Sequence, residues 1–188
     1  FGGDLLRQGI ATSMGVEALQ IPMFGLYGAC STSGEALALA SMSAAAGYGG
    51  TMIAVTSSHF GSAEKEFRFP LGYANQRPLS SHWTVTGSGA FLVQSAEEYR
   101  KQNTKSYFSN IRITGVTVGK IVDYGLKDSQ NMGACMAPAA MDTIVQNFQD
   151  MERKEKDYDR IITGDLGSIG RTILFDLIRE KGYDICEK

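Results

Sequence analysis

From Glu35 to Tyr48 the chain is rich in alanine, leucine and methionine, with serine only at 41 and 43. Such a run favours a helix. With so few large or charged side chains, that helix is expected to be buried nearly all round. A chain that carries it needs layers packed against it, and the flanking segments supply candidates. Met23 to Tyr27 reads as a short buried strand, and Thr51 to Ser57 as a second by its β-branched content. Gly47, Gly49 and Gly50 end the helix between them.

The same alternation runs through the rest of the chain. Asp4 to Leu19 carries a loose helical period through Leu5, Leu6, Ile10, Met14 and Leu19, closed by Pro22. Trp83 to Gln94 reads as a strand with a kink at Gly87-Ser88-Gly89. Glu97 to Thr104 is a charged boundary, and Ser109 to Tyr124 alternates as a long strand. Ala137 to Met151 is an amphipathic helix that ends in the charges of 152–159. Arg160 to Thr163 is a short strand, followed by a glycine loop to Gly170 and a helix over Arg171 to Lys181. Strands alternating with helices of this length point to βαβ units and an α/β fold. Its sheet is expected to be mostly parallel and covered on both faces.

Composition narrows the function classes. At 43% hydrophobic and 20% charged residues the chain is too apolar for a disordered protein. A formal charge of -2 lacks the basic excess of a protein that grips nucleic acid through phosphates. Cys30, Cys135 and Cys186 are odd in number and widely spaced, so reduced thiols are expected, with neither a disulfide framework nor a zinc site. With His59 and His82 as its two histidines, the chain gives no basis for a His-rich metal site. The weakly polar stretch from Ala36 to Ala54 is broken by serines and glycines. It falls short of the roughly 20 apolar residues of a membrane span, so membrane association is expected to be peripheral. The chain opens on Phe1 without a methionine, so it is read as part of a longer protein.

Cys30 is the sharpest candidate for chemistry. It sits where a strand turns through the small residues 28–34 into the alanine-rich helix, so unpaired N–H groups and the positive helix end face it. That setting favours the thiolate, and it also suits a carboxylate or phosphate. The competing reading is a buried cysteine that packs as a small apolar residue. His59 follows a strand end, where α/β folds gather ligand groups; a hydrogen-bonded structural histidine is the alternative. Arg68, between Phe67 and Phe69, has the flanks of a partly buried guanidinium that needs an anion, with Glu64 or Glu66 as rivals to a ligand. Lys65 and Arg77 read as surface charges or as carboxylate contacts, and His82 beside Trp83 as packing. The loop Gly164-Asp165-Leu166-Gly167 precedes a helix but lacks the lysine of a phosphate-binding loop. Asp165 is a hydrogen-bond acceptor there, or an oxygen ligand for calcium.

These motifs carry a resemblance. Gly28-Ala29-Cys30-Ser31-Thr32-Ser33-Gly34-Glu35-Ala36-Leu37 resembles the cysteine elbow of the thiolase and ketoacyl-synthase superfamily. Thr84-Val85-Thr86-Gly87-Ser88-Gly89-Ala90 resembles the glycine-rich last strand of that superfamily's first half. His59 to Pro70, on to Gln76-Arg77-Pro78, together with Met136 to Ala140 and Thr163 to Gly167, is similar to the stage V sporulation protein AD family, a thiolase-like family of spore-forming bacteria.

The resemblance implies a thiolase-like fold, incomplete in this chain. It would have two βαβ-type halves, 1–100 and 101–188, and a buried central helix between sheets. It implies a non-catalytic protein, because Gly164-Asp165-Leu166-Gly167 holds no histidine where condensing enzymes carry one. It implies dipicolinic acid (pyridine-2,6-dicarboxylate) as ligand, for uptake into and release from spores, with calcium travelling beside it and no other cofactor. Cys30, Ser31, His59, Lys65, Arg68 and Asp165 are the contacts it points to, and Phe67, Phe69 or Tyr73 would stack on the ring. Implied partners are stage V membrane-channel proteins and a second copy of the chain, paired near Thr84–Gln94. The implied location is the spore, peripheral to its inner membrane. An acyl-transfer enzyme using Cys30 as nucleophile is the alternative, and a structural subunit with a vestigial cleft is a third reading.

Overall fold

The structure, a computed structural model, describes residues 1–6, 10–59, 78–82, 86–102 and 111–188. It is a mixed α/β chain in two compact units. The first gathers the described residues of 1–65 and 85–114, the second those of 66–84 and 115–188.

In the first unit, β1 (Gly2–Asp4) pairs parallel with β2 (Thr51–Ser58), and β2 pairs antiparallel with β3 (Gly87–Gln94). The sheet is therefore mixed and three-stranded, where the sequence pattern pointed to a mostly parallel one. Periodicity reports that a segment is extended, but direction depends on which neighbour it finds. β3 keeps one-to-one register from Thr51↔Gln94 to Ser58↔Gly87. The expected kink at Gly87-Ser88-Gly89 does not form, because a bulge needs an extra residue on one strand. The first helix, α1, is shorter than its apolar period, Ile10–Glu17. Thr12 ties it to the sheet by donating from Oγ1 to the Gly3 carbonyl at 2.8 Å.

The alanine-rich helix α2 spans Thr32–Ala45, starting three residues before the expected Glu35. It packs on the sheet through Thr32, Ala36, Ala40 and Ala44, one stripe at a spacing of four. Ala54 of β2 and the partly buried Leu26, Leu37, Met52 and Val93 complete that core. The opposite face is open, with Met42 52% exposed. Burial all round is thus not what the described residues give α2, since one layer covers one face. Met23 to Tyr27 is likewise no buried strand. It makes a single bridge, Gly25 to Gly2, and leaves Phe24 70% and Tyr27 53% exposed. The charged stretch after β3 is a helix, α3 (Ala96–Gln102), whose Glu98 N–H donates to Ser95 Oγ at 3.1 Å.

The second unit is a helix pair, α4 (Met132–Asp150) and α5 (Gly167–Glu180). Asn131 caps α4 by accepting from the Ala134 N–H at 3.2 Å, so the helix starts well before the expected Ala137. Pro138 then lies inside it and removes one backbone bond. Burial of Ala137, Met141 and Phe148 against Leu174 and Ile178 of α5 offsets that loss. The crossing point is glycine on glycine. A Cβ on Gly170 would stand 2.7 Å from the Gly133 Cα, and a Cβ on Gly133 would collide with the Leu166 carbonyl.

Two expected strands form no ladder among the described residues. Within 115–124 the segment meets a helix instead: Asn147 Nδ2 donates to Thr117 Oγ1 at 3.0 Å. Its flanking glycines admit α4 in the same way, since a Cβ on Gly119 would stand 2.6 Å from Thr143 Oγ1. Ile121 is 97% exposed. Residues 160–163 are also unladdered, with Ile161 N–H donating to the Lys188 carbonyl at 3.2 Å.

Candidate functional site

Parallel pairing places the candidate site of the first unit. The segment around Gly25 and β2 both run parallel to β1 on either side of it, so Gly28–Cys30, Asp4 and His59 all follow the carboxyl ends of neighbouring extended segments. That is where open α/β sheets collect ligand groups.

The turn into α2 is strained. Ala29 has φ +47°, a left-handed conformation that a non-glycine residue adopts at a cost of about 1 kcal/mol. A short 3-10 turn, Ala29–Ser31, follows and runs directly into α2. Hydrogen bonds hold this elbow. The Ser31 N–H and hydroxyl both donate to the Gly28 carbonyl, at 2.9 and 2.7 Å. The Gly28 N–H donates to Thr32 Oγ1 at 3.0 Å, and that hydroxyl donates on to the Ala29 carbonyl at 2.8 Å. Cys30 is left exposed at the tip. No side chain caps α2, because the Ser31 hydroxyl is committed to Gly28. The first turn thus presents its positive end beside the thiol, with Ser33 and Gly34 exposed. Replacing Ala29 with glycine removes the strain, so Ala29→Gly is expected to raise stability by about 0.5–1 kcal/mol in a urea melt. A loss there would show that the turn holds no strain.

Two acidic groups at this end escaped the sequence reading. Asp4, taken as the start of a helix, is instead buried at the end of β1. Its Oδ2 accepts from the Ala11 N–H at 3.0 Å, and its Oδ1 has no partner. Glu35 reaches back toward the start of α2, where a Cβ on Gly28 would lie 2.9 Å from its Oε2. That oxygen is buried and also without a partner. The available signal was an acidic residue in the first turn of a helix that follows a glycine elbow.

Of the residues singled out in the sequence, Cys30, Ser31 and His59 belong to this unit, and His59 is exposed just beyond β2. Lys65, Arg68, Arg77, Phe67, Phe69 and Tyr73 lie outside the described residues. Asp165 belongs to the second unit, exposed in the turn before α5, where its Oδ1 accepts from the Gly167 N–H at 2.9 Å. It borders an open cleft of about 330 Å³ shared with Gly164, Arg171 and Cys186. His82 is 4% exposed and its Nε2 has no partner. Its ring lies against Gly167, with Cδ2 3.5 Å from where a Cβ there would stand.

None of the three cysteines forms a disulfide with a described residue. Cys186 is a poor nucleophile, since a hydrogen bond with Asp184 holds its thiol above the ordinary range. Among the described residues no group of three His, Cys, Asp or Glu side chains is placed to hold a metal ion. No described helix is long and apolar enough to cross a membrane.

Comparison with known proteins agrees with the motifs. The family model described as Stage V sporulation protein AD (SpoVAD) matches residues 1–188. The stage V sporulation protein AD of Bacillus subtilis (strain 168) is 42% identical over 186 residues, 99% of this chain. The match takes in 52% of that protein, so the chain spans about half the length of the curated relative it matches.

Proposed function

The chain belongs to the stage V sporulation protein AD family, and on that premise we propose that it binds dipicolinic acid at the start of α2. The observation that carries this reading is the strained Ala29 elbow, which presents an exposed Cys30 beside the uncapped first turn of a helix. A pyridine dicarboxylate needs charge-assisted donors at its ends and a flat wall for its ring. The α2 end supplies positive potential for one carboxylate. His59, beyond the neighbouring strand, is a contact for the rest, with Lys65 and Arg68 following it in the chain. Asp165, in the second unit, is by itself an oxygen acceptor of the kind calcium prefers.

In this reading the chain contributes to a thiolase-like fold that has given up condensing chemistry. The protein works at the spore inner membrane without spanning it, beside the stage V channel proteins and as a dimer through β3. Calorimetric titration of the full-length protein with dipicolinate, with and without calcium, tests it. Saturable heat is the expected result. A folded protein that gives neither heat nor a thermal shift would sink the proposal.

The same elbow favours a second reading, acyl transfer by Cys30. Its thiolate would attack the carbonyl of an acyl thioester, forming a new thioester as the old carbon–sulfur bond breaks and the leaving thiolate takes up a proton. Intact mass after incubation with an acyl-coenzyme A separates the two. A stoichiometric adduct on Cys30 supports the enzyme, and its absence supports the binder.

A further inference from the structure

The end of α2 that attracts an anion already holds one. Glu35 lies in the first turn, and its Oε2 is buried without a hydrogen-bond partner. The donors that border it are engaged elsewhere. The Ser31 hydroxyl donates to the Gly28 carbonyl at 2.7 Å, and the Thr32 hydroxyl donates to the Ala29 carbonyl at 2.8 Å. The Thr32 N–H also turns to the Ala29 carbonyl. A carboxylate at this position gains from the helix dipole, which accounts for its being tolerated there. A second anion arriving at the same end shares that favourable potential and meets a like charge with little water between them.

We infer that Glu35 is a specificity-determining residue of this site, one that holds down affinity for free dicarboxylates and discriminates among ligands by their charge. The inference rests on the binding reading above. For a carrier the consequence is direct: a ligand held weakly is released readily, and Glu35 sets how weakly.

Titrating full-length wild-type protein and Glu35→Gln with dipicolinate and with its mono-amide, which carries one negative charge fewer, tests this. The amide side chain of glutamine keeps the shape of the acid and removes its charge. About one helical turn from the ligand, a charge of this kind is worth on the order of tenfold in affinity. Glu35→Gln is expected to bind dipicolinate about tenfold more tightly, and the wild type to bind the mono-amide at least as well as dipicolinate. Should Glu35→Gln fail to fold, the wild-type comparison of the two ligands decides alone. Wild type and Glu35→Gln binding dipicolinate equally, or the variant binding more weakly, overturns the inference and leaves the binding reading intact. If neither ligand binds either protein, the binding reading fails and this inference falls with it.

Discussion

Gly133→Ala is expected to destabilise the second unit by about 3 kcal/mol or more, although alanine is the better helix former. Position 133 lies in the first turn of α4, where propensity alone would credit alanine with about 1 kcal/mol over glycine. Packing opposes it. A Cβ there collides with the Leu166 carbonyl and meets the Gly170 Cα at 3.1 Å. Both neighbours are backbone, so no side chain can rotate out of the way. The helices would have to separate at their crossing, and that would loosen Leu166, Leu174 and Ile178 in the core between them. A urea melt of wild type and variant, compared through their midpoints, reads the difference. A stabilised Gly133→Ala would mean that the two helices do not approach at this point.

Cys30→Phe is expected to abolish saturable dipicolinate binding, weakening it by at least roughly 30-fold, while leaving the fold intact. Cys30 is exposed, so a larger side chain has room without displacing the core. Melting is expected within about 2 °C of wild type, as for most surface substitutions. The phenyl ring instead fills the approach to the first turn of α2 and screens its N–H groups from a carboxylate. Calorimetry reads the affinity and a thermal melt reads the fold. Unaltered binding by a folded Cys30→Phe protein would place the ligand away from this elbow, and the cleft beside Asp165 and Arg171 would then be the next place to look.

Much of this was legible in the residues. The elbow was readable because small residues between an extended segment and an alanine-rich helix leave little else for residues 28–34 to do. β2 was readable because Thr51–Ser57 is β-branched and lies between glycines and a polar stretch. The start of α4 was missed although Asn131 carries the capping signal, and Pro138 lies inside the helix and not at its first turn. Glu35 was missed for a different reason. Its role depends on where its side chain turns and on what its neighbours have already bonded, and no spacing rule carries either.

The sequence by itself determined α2, β2, β3 and α5 near their observed bounds, the cysteine elbow and the family, because each rests on neighbours close along the chain or on motifs read in order. Only the tertiary structure decided which stripe of α2 is covered and that the sheet is mixed. It also decided that Thr117 and Gly119 meet α4 without a strand ladder, and that two carboxylate oxygens remain unpaired at the sheet's carboxyl end. Burial, strand direction and hydrogen-bond satisfaction are properties of pairs of segments far apart in the chain. A local pattern prepares a segment for a partner, and the fold determines which partner it meets.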